Sequence, residues 1–263
     1  MAVKVTDLLG TQLDALRYEP TAKRLRASVD SHVVADTSDG LLIWEPLRLV
    51  PTYAVPAQSL SADLLPSDTG PHASQPLLDP RNPFAQHTTE GEAYDVVVES
   101  KTLPSAAFRP DDPDLADYLL LDFAQFDWRE EDEPIVGHPH DPFHRIDILR
   151  SSRHVRIELD GQLLAESRTP VLLFETLLPV RFYLPPDDVT AHLEPSDTVT
   201  YCAYKGRASY FSLPGGRNDI AWTYPEPLRE AEAVRDCVCF FDEHVDVTVD
   251  GRQRTHPTTP WSD

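Results

Sequence analysis

The sequence predicts a mainly β protein made of two diverged copies of a compact antiparallel β unit, with an N-terminal helix. Three observations predict this fold class. Short apolar segments with period-two alternation recur along the chain, and Asp-Gly pairs typical of hairpin turns follow two of them. One block of sequence also resembles another block 130 residues downstream. A helical pattern occurs only over Val5–Tyr18, with one further short turn over Pro227–Arg235.

Composition limits the partners and the compartment. The 263 residues include 44 acidic and 23 basic side chains, a net charge of −21. Such a surface repels nucleic acid and anionic membranes, so we expect neither as a partner. No run of 18 apolar residues and no signal peptide is present, and three cysteines do not form a disulfide framework. We therefore expect a cytoplasmic protein.

The internal similarity is an ungapped match of Val34–Pro56 with Leu164–Pro186. Seven positions are identical: Ala35/Ala165, Leu42/Leu172, Glu45/Glu175, Leu47/Leu177, Val50/Val180, Tyr53/Tyr183 and Pro56/Pro186. Two stacked copies of one supersecondary unit are the simplest explanation.

A second block, at an offset of 115, pairs Gly91 with Gly206, Ala93 with Ala208, Phe126 with Phe241 and Asp127 with Asp242. The proline-rich segment Pro66–Pro83 can hold the additional residues of the first copy. We predict a first, degenerate repeat over residues 1–138, a linker over 139–150, and a second repeat with the candidate site over 151–263.

Short strands follow one another through the second copy. Val155, Ile157 and Leu159 alternate with polar residues before the hairpin pair Asp160-Gly161. The pattern predicts further strands over 163–167, 171–175, 180–184, 189–193, 198–204, 208–213, 220–224, 237–241 and 245–249.

The segment Thr200–Gly206 holds the sharpest chemical candidates. Cys202 and Tyr204 share one face of the predicted strand, and Lys205 stands at its end. A lysine near a cysteine can generate a thiolate nucleophile, so Cys202 and Lys205 are the candidate catalytic residues. The alternative, which we favour, is an inert buried thiol beside a lysine bonded to a carboxylate such as Glu175.

Two further groups could line a ligand pocket. Glu175, Arg181 and Tyr183 could bind a polar ligand, although a charge pair that fixes neighbouring strands is the favoured alternative. Trp222 and Tyr224 share a strand face and could line a slot, although aromatic pairs more often belong to a core.

The two copies differ at the sharpest segment. At an offset of 115, Cys202, Tyr204 and Lys205 are matched by His87, Thr89 and Glu90. The first copy therefore lacks the thiol and the amine, and we expect the second copy to carry the site.

No metal or cofactor is predicted. Cys237 and Cys239 form a Cys-x-Cys pair, a weak zinc signal inside an apolar run, and whether they bind metal stays open. None of the glycine-rich nucleotide motifs, the serine-hydrolase elbow or the zinc-protease helix motif occurs.

Several of these segments resemble a bacterial family catalogued as domain of unknown function 427, whose label calls it nucleotidyltransferase-like. The matching segments are Ser152–Gly161, Phe174–Thr176 with Tyr183–Pro185, Cys202–Gly206 with Ala208–Tyr210, Ala221–Pro225, and Phe240–Phe241 followed by Val249–Gly251. The linker His138–Arg145 is similar to that of two-copy members.

The resemblance implies a compact β domain of the β-tent type without an established activity. A Gly-Ser pair followed by Asp-x-Asp, which nucleotidyl transfer would need, is missing.

We expect a small-molecule-binding protein with a polar and aromatic pocket in the second repeat. The pocket would be lined by Glu175, Arg181, Tyr183, Tyr204, Lys205, Trp222 and Tyr224. One alternative is an enzyme that acts on a small polar or anionic metabolite through Lys205 or Cys202. The other is a non-catalytic scaffold. The ligand and the oligomeric state stay open.

Overall fold

A computed structural model of the protein describes residues 2–67 and 82–259, together with Ser262. Most of the proline-rich segment 66–83 lies outside the described residues. The chain forms two compact units, residues 1–141 and 142–263. No helix in the described ranges is long and apolar enough to cross a membrane.

In its described part, unit 1 begins with a six-residue helix, α1 (Val5–Gly10), and contains two 3₁₀ helices, Ala57–Ser59 and Phe123–Gln125. Its strands are β1 (Arg17–Pro20), β2 (Leu25–Val29), β3 (His32–Thr37), β4 (Leu41–Trp44), β5 (Thr52–Pro56), β6 (Asp63–Pro66), β7 (Gly91–Val98), β8 (Lys101–Pro110), β9 (Tyr118–Leu121), β10 (Asp127–Glu130) and β11 (Glu133–Ile135).

Unit 2 contains two 3₁₀ helices in its described part, Pro186–Asp188 and Arg229–Val234. Its strands are β12 (Ile146–Arg150), β13 (Val155–Leu159), β14 (Gln162–Ser167), β15 (Val171–Glu175), β16 (Arg181–Leu184), β17 (Glu194–Cys202), β18 (Gly206–Ser212), β19 (Ala221–Thr223), β20 (Val238–Phe240), β21 (Asp246–Val249) and β22 (Arg252–Gln253).

The two units have the same sheet topology. Each has a seven-stranded sheet, in the order β1-β4-β5-β9-β8-β7-β6 in unit 1 and β12-β15-β16-β20-β19-β18-β17 in unit 2. Each also has a four-stranded sheet, β11-β10-β2-β3 and β22-β21-β13-β14. Shifting the strand numbers by eleven converts one order into the other. The prediction of a mainly antiparallel β protein is confirmed.

The central strands of each large sheet are buried on both faces. In unit 2 its inner face packs against the small sheet, with Phe182 and Leu184 against Val155 and Val247. Its outer face carries a second cluster that includes residues of the 3₁₀ helix Arg229–Val234. Strands buried on both faces consist of near-continuous apolar runs, as β15 does over Val171, Leu172 and Leu173.

Two Asp-Gly hairpins form as the sequence predicts. Asp160 and Gly161 join β13 to β14 with φ angles of 52° and 79°, and Asp250 and Gly251 join β21 to β22 with 50° and 77°. Two successive positive φ angles give a turn whose twist suits an antiparallel pair, and Gly adopts them without strain.

Three sequence expectations differ from the structure. The predicted helix Val5–Tyr18 ends at Gly10, because residues 17–20 instead pair with β4 as strand β1. Residues 146–150 of the predicted linker form β12, the edge strand beside β15. The predicted strand 189–193 is reduced to one bridge, Ala165 with Val189, after a 3₁₀ helix that begins at Pro186.

The turn between β4 and β5 in unit 1 differs in length from the equivalent turn between β15 and β16 in unit 2. In unit 1, residues 44–51 lie between the paired residues Ile43 and Thr52; in unit 2, residues 174–180 lie between Leu173 and Arg181. The turn of unit 1 is thus one residue longer. Side chains alternate between the two faces of a strand. The additional residue therefore places each side chain of β5 on the face opposite to that of the β16 residue with which the ungapped alignment pairs it.

Candidate functional site

The candidate site lies on the outer face of the large sheet in unit 2. A continuous row of paired residues crosses the five central strands there, and we call it the outer row of unit 2. It consists of Val171, Tyr183, Cys239, Trp222 and Tyr210.

The same pairing in unit 1 gives a row of different character. The outer row of unit 1 consists of Leu41, Ala54, Leu120, Phe108 and Ala93. Tyr183 and Tyr210 thus stand where unit 1 has Ala54 and Ala93. The two tyrosines of this row are therefore a property of unit 2, whereas both rows have an aromatic residue at the position of Trp222 and Phe108.

The polar centre of the site is a chain of three side chains. Lys205, which directly precedes β18, donates from Nζ to Oε2 of Glu175 over 2.6 Å. His144 Nε2 lies 3.2 Å from the other oxygen, Oε1. Glu175 ends β15, so both oxygens of its carboxylate are occupied at the edge of the outer face. The bond between Lys205 and a carboxylate, which the sequence interpretation favoured, is therefore present.

The charges of this cluster stabilise one another. Burial alone would raise the pKa of Glu175, but the hydrogen bond from His144 and the charge and hydrogen bond of Lys205 lower it to about 2. Burial alone would lower the pKa of Lys205, yet Cys202 and Glu175 raise it. Lys205 is thus an ammonium group at neutral pH, with N–H donors and no lone pair for nucleophilic attack.

Cys202 and Tyr204 flank Lys205. Cys202 is half-buried at the end of β17, and a hydrogen bond from Lys205 to it contributes to the raised pKa of that lysine. Tyr204 is buried, with the guanidinium of Arg145 5.5 Å from the centre of its ring and the His144 ring 5.8 Å away. His144 and Arg145 are therefore further members of the site. Both lie in the segment 139–150, which the sequence predicts to be a linker.

The predicted aromatic residues form a packed group. Trp222 donates from Nε1 to the hydroxyl of Tyr183 over 3.0 Å, and the Tyr224 ring lies 6.4 Å from the Tyr183 ring. Burial raises the pKa values of Tyr183 and Tyr224 well above the ordinary value, so both phenols stay neutral. These rings form the buried base of the site rather than an open slot.

Arg181 belongs to a separate cluster on the same face. Its guanidinium donates two bonds to the carboxylate of Glu243, of 2.8 and 2.6 Å, and lies 3.6 Å from Asp242. Thr259 also donates to Glu243, over 2.5 Å. Burial raises the pKa of Asp242 to about 6, against the opposing charge of Arg181. The sequence alternative of a strand-fixing charge pair describes Arg181 better than a pocket with Glu175 does.

Strand pairing revises the sequence match between the two units. Ala93 and Tyr210 are equivalent, so β7 and β18 align at an offset of 117 rather than 115. If this offset is extended toward the N-terminus of the two strands, the residue of unit 1 equivalent to Lys205 is Thr88 and not Glu90. The buried Glu45 fits this register, because it contacts Thr88 and His87 as Glu175 contacts Lys205.

The tyrosines of the ungapped match are not equivalent either. Tyr53 packs between the sheets of unit 1, at the position where Phe182 lies in unit 2, whereas Tyr183 lies on the outer face. The longer turn of unit 1 is the reason. The identity of Tyr53 and Tyr183 therefore does not indicate a shared structural role.

The three cysteines are free thiols. Cys239 is fully buried, and Cys237 is half-buried. Among residues 2–67 and 82–259, no group of three or more histidine, cysteine, aspartate or glutamate side chains is arranged to hold a metal ion.

The fold and the site define the class of protein. It has two antiparallel β units of two sheets each, and one unit carries a buried lysine–glutamate pair at the outer face of its large sheet. Within that class, residues 147–251 match the family described as Domain of unknown function (DUF427). The match lies within unit 2 and includes Glu175, Lys205 and the outer row. A search of curated proteins found no match.

Proposed function

We propose that the protein binds a small polar ligand at the outer face of unit 2, through Lys205, Glu175 and His144. The observation that carries this proposal is the Lys205–Glu175–His144 cluster. It is nearly buried, yet each member retains some exposed surface. A purely structural ion pair needs no exposed edge, whereas a binding site does.

The chemistry of the cluster favours a ligand with hydrogen-bond acceptors. An ammonium group has three N–H donors; Glu175 accepts one and Cys202 another, which leaves one for a ligand. Arg145 and His144 add positive or donor groups beside Tyr204. A carboxylate-bearing or otherwise electron-rich polar metabolite fits this set of donors.

The asymmetry between the units supports a single site of this kind. We propose that the units are diverged copies, which the shared strand order supports. In unit 1 the position equivalent to Lys205 is a threonine, and the positions equivalent to Tyr183 and Tyr210 in the outer row are alanines. The free thiols fit a reducing cytoplasm, which we propose as the location.

An enzymatic role through Cys202 is the second candidate. The half-buried thiol lies beside Lys205, which could stabilise a thiolate. A nucleophilic Lys205 has less support, because its charge is balanced by Glu175. Among the residues that the structure describes, no contact specifically favours a scaffold role.

Thermal denaturation with defined compounds tests the binding proposal. The panel comprises dicarboxylates, amino acids, sugar phosphates and nucleotides, measured on the wild type and on Lys205→Met. The matched control is Lys23→Met, since Lys23 also donates to a buried carboxylate, Glu130, over 2.5 Å, but in unit 1.

We expect at least one compound to raise the Tm of the wild type and of Lys23→Met but not of Lys205→Met. An equal rise in all three proteins would refute the site. Consumption of the bound compound by wild type but not by Cys202→Ser would favour the enzyme.

A further inference from the structure

Unit 1 carries a buried polar cluster of its own, at the position equivalent to Glu175. Glu45 follows β4 and is fully buried. Its Oε2 lies 3.0 Å from Nδ1 of His87, and its Oε1 accepts the backbone N–H of Thr88 over 3.0 Å. Where unit 2 pairs the carboxylate with an ammonium group, unit 1 pairs it with an imidazole.

The imidazole of His87 is fixed in position. A carboxylate only accepts hydrogen bonds, so Nδ1 is the nitrogen that donates to Glu45, and in a neutral imidazole the lone pair is then on Nε2. The ring of Phe108 stacks on it at 3.7 Å between centroids and 9° between planes. No residue of the described ranges bonds Nε2, and the side chain keeps 8 % of its surface exposed.

An arginine lies beside this pair. Arg48 is fully buried, and its Nε is 3.9 Å from the same Glu45 oxygen that His87 contacts. Its Nη2 donates to the carbonyl groups of Pro83 and Gln86. Its Nε and Nη1 have no hydrogen-bond partner among the residues that the structure describes. Two guanidinium nitrogens of Arg48 are therefore buried and unpaired beside the carboxylate that holds His87.

We propose that unit 1 holds a second chemically competent site, in which His87 Nε2 attacks activated acyl groups. Glu45 orients the imidazole and stabilises its positive charge, so it is a positioning residue. In this proposal the unpaired N–H groups of Arg48 stabilise the negative charge on the acyl oxygen. The substrate class is a small activated ester.

The reaction balances with water as co-reactant. Nε2 forms a bond to the acyl carbon, and the alkoxide or phenolate leaves with the electron pair of the broken C–O bond. Water then adds to the acyl-imidazolium, the C–N bond breaks with its electron pair returning to Nε2, and a water proton passes to the alkoxide or phenolate, so that a carboxylic acid, an alcohol or phenol and the neutral imidazole result. Glu45 keeps its hydrogen bond to Nδ1 throughout.

Hydrolysis of p-nitrophenyl acetate by the full-length protein tests this site. We expect His87→Gln to lose at least about tenfold of the protein-catalysed rate. The matched control is His140→Gln, because His140 Nδ1 also lies 2.9 Å from a buried carboxylate, that of Glu130. It should keep the wild-type rate. Lys205→Met should keep it as well, which separates this proposal from the ligand site in unit 2.

Two further measurements distinguish chemistry from folding. Glu45→Asp, which keeps a carboxylate, should retain more activity than Glu45→Gln at equal thermal stability. Diethyl pyrocarbonate should modify Nε2 of His87 in the native wild type, as mapped by peptide mass spectrometry. A wild-type rate in folded His87→Gln, or a His87 that stays unmodified, would overturn the proposal.

Discussion

Lys205 Nζ lies 2.6 Å from Glu175 Oε2, and each side chain keeps only about a tenth of its surface exposed. Breaking such a pair leaves one uncompensated buried charge. We expect Lys205→Met or Glu175→Gln alone to lower the free energy of unfolding by about 3–5 kcal/mol. The double variant should lose clearly less than the sum, as measured by urea denaturation at pH 7. Additive losses would show that the two groups do not interact.

Acid should weaken the fold through Glu175. Its pKa of about 2 in the folded protein lies below the ordinary 4.5, so its contribution is present above about pH 4.5 and is lost as the pH falls toward 2. Between pH 6 and pH 3 the wild type should therefore lose about 2 kcal/mol more than Glu175→Gln does. Urea denaturation across that range measures the difference, and parallel curves would contradict the assignment.

Asp242 should act with the opposite sign. Its pKa of about 6 lies above the ordinary 3.8, so the folded protein favours the protonated carboxyl, and stability falls as the pH rises between these values. Relative to the wild type, Asp242→Asn should gain about 2 kcal/mol of stability on going from pH 4 to pH 7. Urea denaturation at the two pH values measures the difference in unfolding free energy between the variant and the wild type. The same difference at pH 4 and pH 7 would show that ionised Asp242 does not destabilise the fold.

The cysteines should differ in reactivity. Cys239 is fully buried and its pKa is raised by that burial, whereas Cys202 and Cys237 are half-buried. Iodoacetamide should therefore label Cys202 and Cys237 in the native protein and reach Cys239 only in urea. Peptide mass spectrometry identifies the labelled positions. Native labelling of Cys239 would mean that the outer face of unit 2 opens readily.

Strand positions could be predicted where local signals are strong. The alternation over Val155–Leu159 and the Asp-Gly pairs gave β13 and both hairpins, because these features depend on neighbouring residues alone. The edge strand β12 could not be found, since it follows proline-rich residues and forms only by pairing with β15, more than 20 residues downstream.

Part of the site could be predicted for a similar reason. Lys205 and Glu175 are opposite charges in otherwise apolar surroundings, and each has to find a partner when buried. The partner of Arg181 could not be predicted, because Glu243 is 62 residues away and belongs to a loop after β20. His144 was missed because its segment has no strand pattern.

The turn between β4 and β5 has a consequence for how this chain can change. Adding or removing a single codon there exchanges every side chain of one central strand between the interior and the opposite surface. Point substitutions would need several steps to achieve as much. A single insertion or deletion can thus change the chemistry of a sheet surface while the fold is kept, without a series of substitutions.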